Sequence, residues 1–382
     1  MSIQFYKDII NVINGYVEHI KSLKQIDNNK VTNDDSQKAV SLLGVFGVPW
    51  RADIIMQNRL IEFKKVSILL SQSCTKLAIL IVKKLSNEVI DSLLIEIKKY
   101  IELLNLGFLE VQQCLLCDPL FNLIRQEAVC ILIQIKEFID YISNNNLDNN
   151  INISAGMISE RSDSIQKLPL SNKAAYRRSI LECISVTKDT LQEFEVYVQE
   201  SNQQKNDKYE DNDDEDDDGM DFGDDVDYSA TEIVTVNKCI SLIKASLECM
   251  KVALSVMTCV GDNVTNSKSH RDTTTSTNDN NGDITVTELE KSLLELQCDE
   301  WIVKVHRSCK VLDSSVLSLG GELYPPVIAE DINDLYKELY ESLESTNTLL
   351  KEDTYQSMLS ADALNMLQTI LNTIYSLPKS LV

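Results

Sequence analysis

Three short segments carry residue types at spacings that could do chemistry. Cys114-Leu-Leu-Cys117 has the CxxC spacing of zinc and thiol–disulfide sites. A zinc site needs a second pair of ligands, yet the only histidines are His19, His270 and His306. A redox dithiol needs a strand–helix–strand frame, and no such pattern surrounds this pair. Both spacer residues are leucines, so the two cysteines read as core thiols at a helix end. Thr277–Glu288 follows a calcium-binding loop in part, with Asp279, Asn281, Gly282, Ile284 and Glu288 at its third, fifth, sixth, eighth and twelfth positions. The first position, normally Asp, is Thr277, and the Ser/Thr-rich Val264–Ser276 stands where an incoming helix is required. A polar loop, with Thr285 and Glu288 capping the next helix, accounts for the same residues. Asp214–Asp225 fits the calcium pattern too, but only because an acidic run fits it by composition. Ser229-Ala-Thr-Glu232 is the third segment. It reads first as a capping box, Ser229 at the N-cap and Glu232 three residues on. With acids on both sides, Ser229 is also a candidate phosphoacceptor for an acid-directed kinase, and a helix N-terminus would tolerate the phosphate.

No nucleophile elbow, phosphate-cradling glycine loop, paired-carboxylate motif or dinucleotide fingerprint occurs. With 3 histidines in 382 residues, acid–base chemistry has few candidates. The chain is therefore expected to be no enzyme, with no catalytic residue, no metal site and no cofactor.

The elements that would position these segments are helices. Apolar residues at Phe121, Ile124, Ala128, Ile131, Ile135, Phe138 and Ile142 alternate steps of three and four. A longer seam runs through Ile233, Val236, Ile240, Ile243, Leu247, Met250, Leu254 and Met257. Ile180, Ile184, Leu191, Phe194 and Val198 repeat the pattern, as do Ile332, Tyr336, Leu339, Leu343 and Leu350. Each places one apolar seam on a helix, as bundle or coiled-coil packing requires. Asp118-Pro119 reads as an N-cap followed by proline in the first turn, and Pro169 and Ser171 announce another start. Helices are predicted near 2–24, 51–84, 87–116, 119–145, 153–166, 172–202, 230–260, 286–319, 328–350 and 354–377. Their lengths suit long-helix, up-and-down bundles, and no alternating pattern makes a strand.

One compositional break divides this helical chain. Glu210–Asp227 holds twelve Asp or Glu and no Lys or Arg, within a net charge of −23. The predicted organisation is all-α: an N-terminal bundle over 1–203, an acidic disordered linker over 204–228, and a C-terminal bundle over 229–382 with a mobile polar loop at 261–284. Without those acids the charge is still −11, so the surface repels phosphate backbones and anionic membranes. No nucleic acid or membrane partner is expected. Met1–Asp8 lacks the pattern of a signal peptide, and the apolar stretches Val66–Thr75 and Val252–Gly261 fall short of a spanning helix. These features predict a soluble intracellular protein whose 10 cysteines are reduced and mostly buried.

Four segments resemble the cyclin-D-binding protein family, the group known for interacting with a Grap adaptor and D-type cyclins. They are Leu170-Ser-Asn172-Lys173-Ala174-Ala175 with Val186-Thr-Lys-Asp189, the acidic run followed by Cys239–Lys251, Leu323-Tyr324-Pro325-Pro326, and Thr75–Leu80 with the helices after it. They occur in the family's order from about residue 70 onward. The resemblance implies two helical bundles of the talin/vinculin kind. It also implies a non-enzymatic regulator that binds cyclin or helix-loop-helix partners, restrains the cell cycle and resides in cytoplasm and nucleus. It makes Asn172, Lys173, Ala174, Ala175, Tyr324, Pro325 and Pro326 candidate partner-binding residues. Their structural reading stands beside it: the alanines permit close helix packing and the prolines set a turn. A cytoskeletal or adhesion-type scaffold is the competing expectation, although it calls for a basic patch that the sequence does not offer. The apolar seams satisfy a monomer and a dimer equally, so oligomeric state stays open.

Overall fold

The computed structural model describes residues 3–23, 54–83, 86–114, 116–144, 150–207, 228–266, 286–352 and 360–382. The acidic run over 210–227 and the calcium-like segment over 277–285 lie outside them. The described residues form ten α-helices and no strand: α1 (Ile3–Ser22), α2 (Ile54–Val82), α3 (Asn87–Gln112), α4 (Asp118–Ser143), α5 (Asn150–Gln166), α6 (Asn172–Asp207), α7 (Ala230–Asn266), α8 (Val286–Gly321), α9 (Ala329–Leu350) and α10 (Ala361–Ser376). The all-α expectation holds. α7 runs six residues past the break expected at Gly261, because one glycine costs a helix only about 1 kcal/mol and need not end it.

By its contacts the chain divides into two units, Met1–Tyr176 and Arg177–Val382. In the first, α2 packs on α3 and α5, α4 on α1, α3 and α5, and α1 also touches α3. Pairings such as Phe63 with Gly107, Ser73 with Glu96 and Ser67 with Ser162 run α2 antiparallel to both neighbours. The seam predicted from Phe121 to Ile142 is buried throughout, and Phe108 and Phe121 meet across the α3–α4 turn at 6.3 Å between ring centroids. Helix α4 begins one residue earlier than expected. Cys117 is its N-cap, and no side chain of the helix itself caps it. The acceptor is instead remote: Asn172 Oδ1 takes the Cys117 N–H at 2.9 Å.

Helix α2 departs from expectation on another count. Lys76 is the one charged residue in Val66–Val82, so by length and composition this 29-residue helix could cross a membrane. Here 44% of its most apolar window is buried against its neighbours.

In the second unit, α7 packs on α8, α9 and α10, and α9 on α8 and α10. The predicted α7 seam is buried at Val236, Ile240, Ile243, Leu247, Met250 and Met257. A second seam, Cys239, Leu242, Cys249, Ala253 and Val256, is buried as well. That double burial is what a helix with three partners needs. Trp301, 1% exposed, fastens α8 to α9 by donating from Nε1 to the Leu349 carbonyl at 3.0 Å.

The boundary between units differs from the sequence-based one. The run after Tyr176 belongs with the C-terminal helices, because Ser179 shares a hydrogen bond with His306, Thr190 and Phe194 abut Gly320, and Glu195 pairs with Lys244. In the chain the acidic run lies between α6, most of which falls in the second unit, and α7. Composition marks the charge break, while the packing break falls inside a continuous helix.

Gly320 of α8 faces Thr190 and Phe194 of α6 at close range. A Cβ there would lie 2.8 Å from Thr190 Cγ2 and 3.5 Å from Phe194 Cε2. In an open helix Gly→Ala gains about 1 kcal/mol, but overpacking costs about 1–3 kcal/mol. Gly320→Ala is expected to lose about 1 kcal/mol in urea denaturation. In a Thr190→Ser background, which lacks the offending methyl, the same substitution should be neutral or stabilising.

Candidate protein-interaction site

The structure shows where the two candidate motifs sit. In the first unit, Asn172 is buried and caps α4 through Cys117, and its carbonyl lies 3.8 Å from the Cys117 thiol. Ser171 Oγ accepts the Ala174 N–H at 3.2 Å, which makes it the cap of α6. Ala175 is fully buried, Lys173 half-buried and Ala174 exposed. Asn172 thus serves as a hydrogen-bond acceptor and Ala175 as part of the packed interior. Cys117 is buried and its thiol pushed up to about 12 by burial, which leaves it unreactive at neutral pH. Cys114 and Cys117 are both free thiols, and no metal-ligating cluster occurs among the described residues.

In the second unit, the Leu323–Val327 turn is tied down from both sides. The predicted capping box is present: Ser229 Oγ accepts the Glu232 N–H at 3.2 Å, and Glu232 Oε2 accepts the Ser229 N–H at 2.6 Å. The other carboxylate oxygen of Glu232 accepts the Val327 N–H at 2.6 Å. Buried Tyr228 donates its hydroxyl to the Leu323 carbonyl at 2.6 Å, and burial raises the pKa of that hydroxyl. Tyr324 donates to Glu193 Oε1 at 2.7 Å, and this bond holds the Tyr324 hydroxyl above its ordinary pKa. Pro325 is half-buried, while Pro326 and Ser229 are exposed. Asn172–Ala175 and Tyr324–Pro326 belong to different units, and each is built into its own.

A third surface was not singled out by sequence reasoning. On the outer face of the α2–α3 hairpin, Lys76, Ile79, Leu80, Glu88, Val89, Ser92 and Leu93 line an open groove of about 570 Å³. Ile79 and Val89 are 43% and 45% exposed. Further along, Ile54, Ile61 and Ile68 stand exposed at seven-residue intervals on α2, and Ile95 and Leu106 on α3. Their signal in the sequence is an apolar repeat on α2 out of phase with the core seam Leu60, Ser67, Cys74, Ile81. Exposed apolar residues grouped on one hairpin make this face a candidate interaction surface.

Comparison with known proteins finds one family model that overlaps this region. Residues 62–200 match the family model described as Grap2 and cyclin-D-interacting, N-terminal. No curated protein matches the chain. The match takes in the groove and Asn172–Ala175, and leaves Ser229, Cys239–Lys251 and Tyr324–Pro326 outside it. Residues 62–200 are therefore similar to the N-terminal region of the Grap2 and cyclin-D-interacting family.

Proposed function

We propose that this protein is a non-enzymatic regulator that binds a D-type cyclin, or a helix-loop-helix partner, through the α2–α3 face and so restrains cell-cycle progression in cytoplasm and nucleus. The observation that carries the reading is the family match over 62–200, whose described interactors are Grap2 and cyclin D and whose span contains the exposed groove. An apolar groove between two helices is the shape that accepts the apolar face of a partner helix, and cyclins are helical proteins. Lys76 and Glu88 at its rim supply one charge of each sign, which would fix orientation more than affinity. A net charge of −23 disfavours nucleic acid and anionic membrane as partners.

The test is capture of a purified D-type cyclin by the full chain, with affinity measured by surface plasmon resonance. Ile79→Glu together with Val89→Glu is expected to weaken binding more than tenfold without changing the helical circular dichroism signal. Binding that survives the double substitution would move the site elsewhere. Failure of the unaltered chain to bind either class of partner would sink the reading.

A further inference from the structure

We infer that Tyr197, Tyr324 and Glu193 form a docking corner in the second unit for an Arg- or Lys-bearing segment of a partner protein. Tyr197 and Tyr324 are 39% and 43% exposed, and their rings meet edge to face, 5.9 Å apart at 87°. Phe194, 1% exposed, backs Tyr324 with its ring centroid 5.3 Å away and keeps the ring from turning inward. Glu193 fixes the Tyr324 hydroxyl from one carboxylate oxygen. It makes no ion pair among the described residues, whereas its near neighbour Glu195 is paired with Lys244.

Aromatic faces beside an unneutralised carboxylate are the chemistry that holds a guanidinium or ammonium. The ring quadrupole attracts the cation, and the carboxylate adds a charge-assisted hydrogen bond. A cationic segment is also what the rest of the chain favours. The twelve acids of Glu210–Asp227 join this unit at Tyr228, whose hydroxyl is fixed to Leu323, the residue before Tyr324. Their field would draw a basic segment toward the corner, and the corner would supply short-range selectivity. This surface lies in the other unit from the α2–α3 groove, so it stands or falls separately from the cyclin reading.

The test uses the full chain and a twelve-residue Gly/Ser peptide bearing three arginines, with a second peptide in which citrulline replaces each arginine. Isothermal titration at 150 mM salt is expected to show binding of the arginine peptide alone. Tyr197→Ala and Glu193→Gln should each weaken it about 5- to 20-fold. The glutamine retains an acceptor for the Tyr324 hydroxyl, and thermal melts check that both variants stay folded. Removing residues 210–227 should flatten the salt dependence while leaving both substitution effects in place. The inference is overturned if the arginine peptide fails to bind. It is also overturned if both variants bind as the unaltered chain does, which would mean the acidic run alone attracts the peptide.

Discussion

Replacing Lys64 with alanine is expected to lower the stability of the first unit by about 3 kcal/mol. Lys64 is 9% exposed, and its ammonium donates to the carbonyls of Gln166 at 2.9 Å and Leu168 at 2.6 Å, at and just beyond the end of α5. Gln166 Nε2 answers by donating to the Lys64 carbonyl at 2.9 Å. A helix C-terminus leaves carbonyls without intrahelical donors and carries partial negative charge, so a buried cation there meets both needs. Each bond from a charged donor contributes about 1.5–3 kcal/mol. Burial acts against this, since it pulls the Lys64 pKa below the ordinary lysine value. The two bonds should outweigh that penalty, because α5 has no other donor recorded at these carbonyls among the described residues. Lys64→Met keeps the apolar stem and separates packing from charge, with an expected loss of about 2 kcal/mol. Urea midpoints give the size. Amide exchange should show the last turn of α5 fraying first. A methionine variant as stable as the parent would mean that desolvation cancels the bonds and that the lock is only steric.

The contrast between this lock and the features legible beforehand is physical. Seams from Phe121 to Ile142 and from Ile332 to Leu350 came directly from periodicity, since burial of a helix face repeats every three or four residues. The Ser229–Glu232 box was legible because both partners lie within one turn. Asn172 reaching Cys117 and Lys64 reaching Gln166 are bonds across 55 and 102 residues, and no local rule announces them. Lys64 and Lys65 are adjacent, identical in type and opposite in fate: one is buried, the other is exposed and pairs with Glu62. The division of contacts at Tyr176 has no local signal for the same reason. α6 is continuous and amphipathic, and what divides it is which neighbours its two ends find. The groove has little signal in the sequence because an exposed isoleucine looks like a buried one; only its phase against Leu60, Ser67 and Cys74 sets it apart.

Lowering the pH from 6.5 to 4 is expected to remove about 3 kcal/mol from the second unit through one side chain, His306. Its Nε2 shares a 2.9 Å hydrogen bond with Ser179 Oγ, and the residue is 9% exposed. Burial, with smaller contributions from the charges of Lys310 and Arg307, pushes its pKa down to about 4 from 6.5. In the native state the ring therefore stays neutral over a range where the unfolded chain takes up a proton. Stability from this group is complete above pH 6.5, falls as the pH drops toward 4, and changes no further below that. At about 1.4 kcal/mol per pH unit, the gap corresponds to about 3 kcal/mol. The chain's 59 acidic residues also titrate on the way down, so the absolute curve mixes several effects. Comparison with His306→Gln removes them, because the carboxylates are common to both proteins and the amide can still meet Ser179. The variant should be less stable than the parent at pH 7, where the fitted imidazole is lost. Its stability should then fall about 3 kcal/mol less between pH 6.5 and 4. Since Ser179 and His306 join α6 to α8, the stretch of α6 around Ser179 should be the first part of the unit to lose amide protection in acid. Parallel curves for the two proteins would mean that the ring accepts its proton without leaving the core, and that burial here is looser than 9% exposure implies.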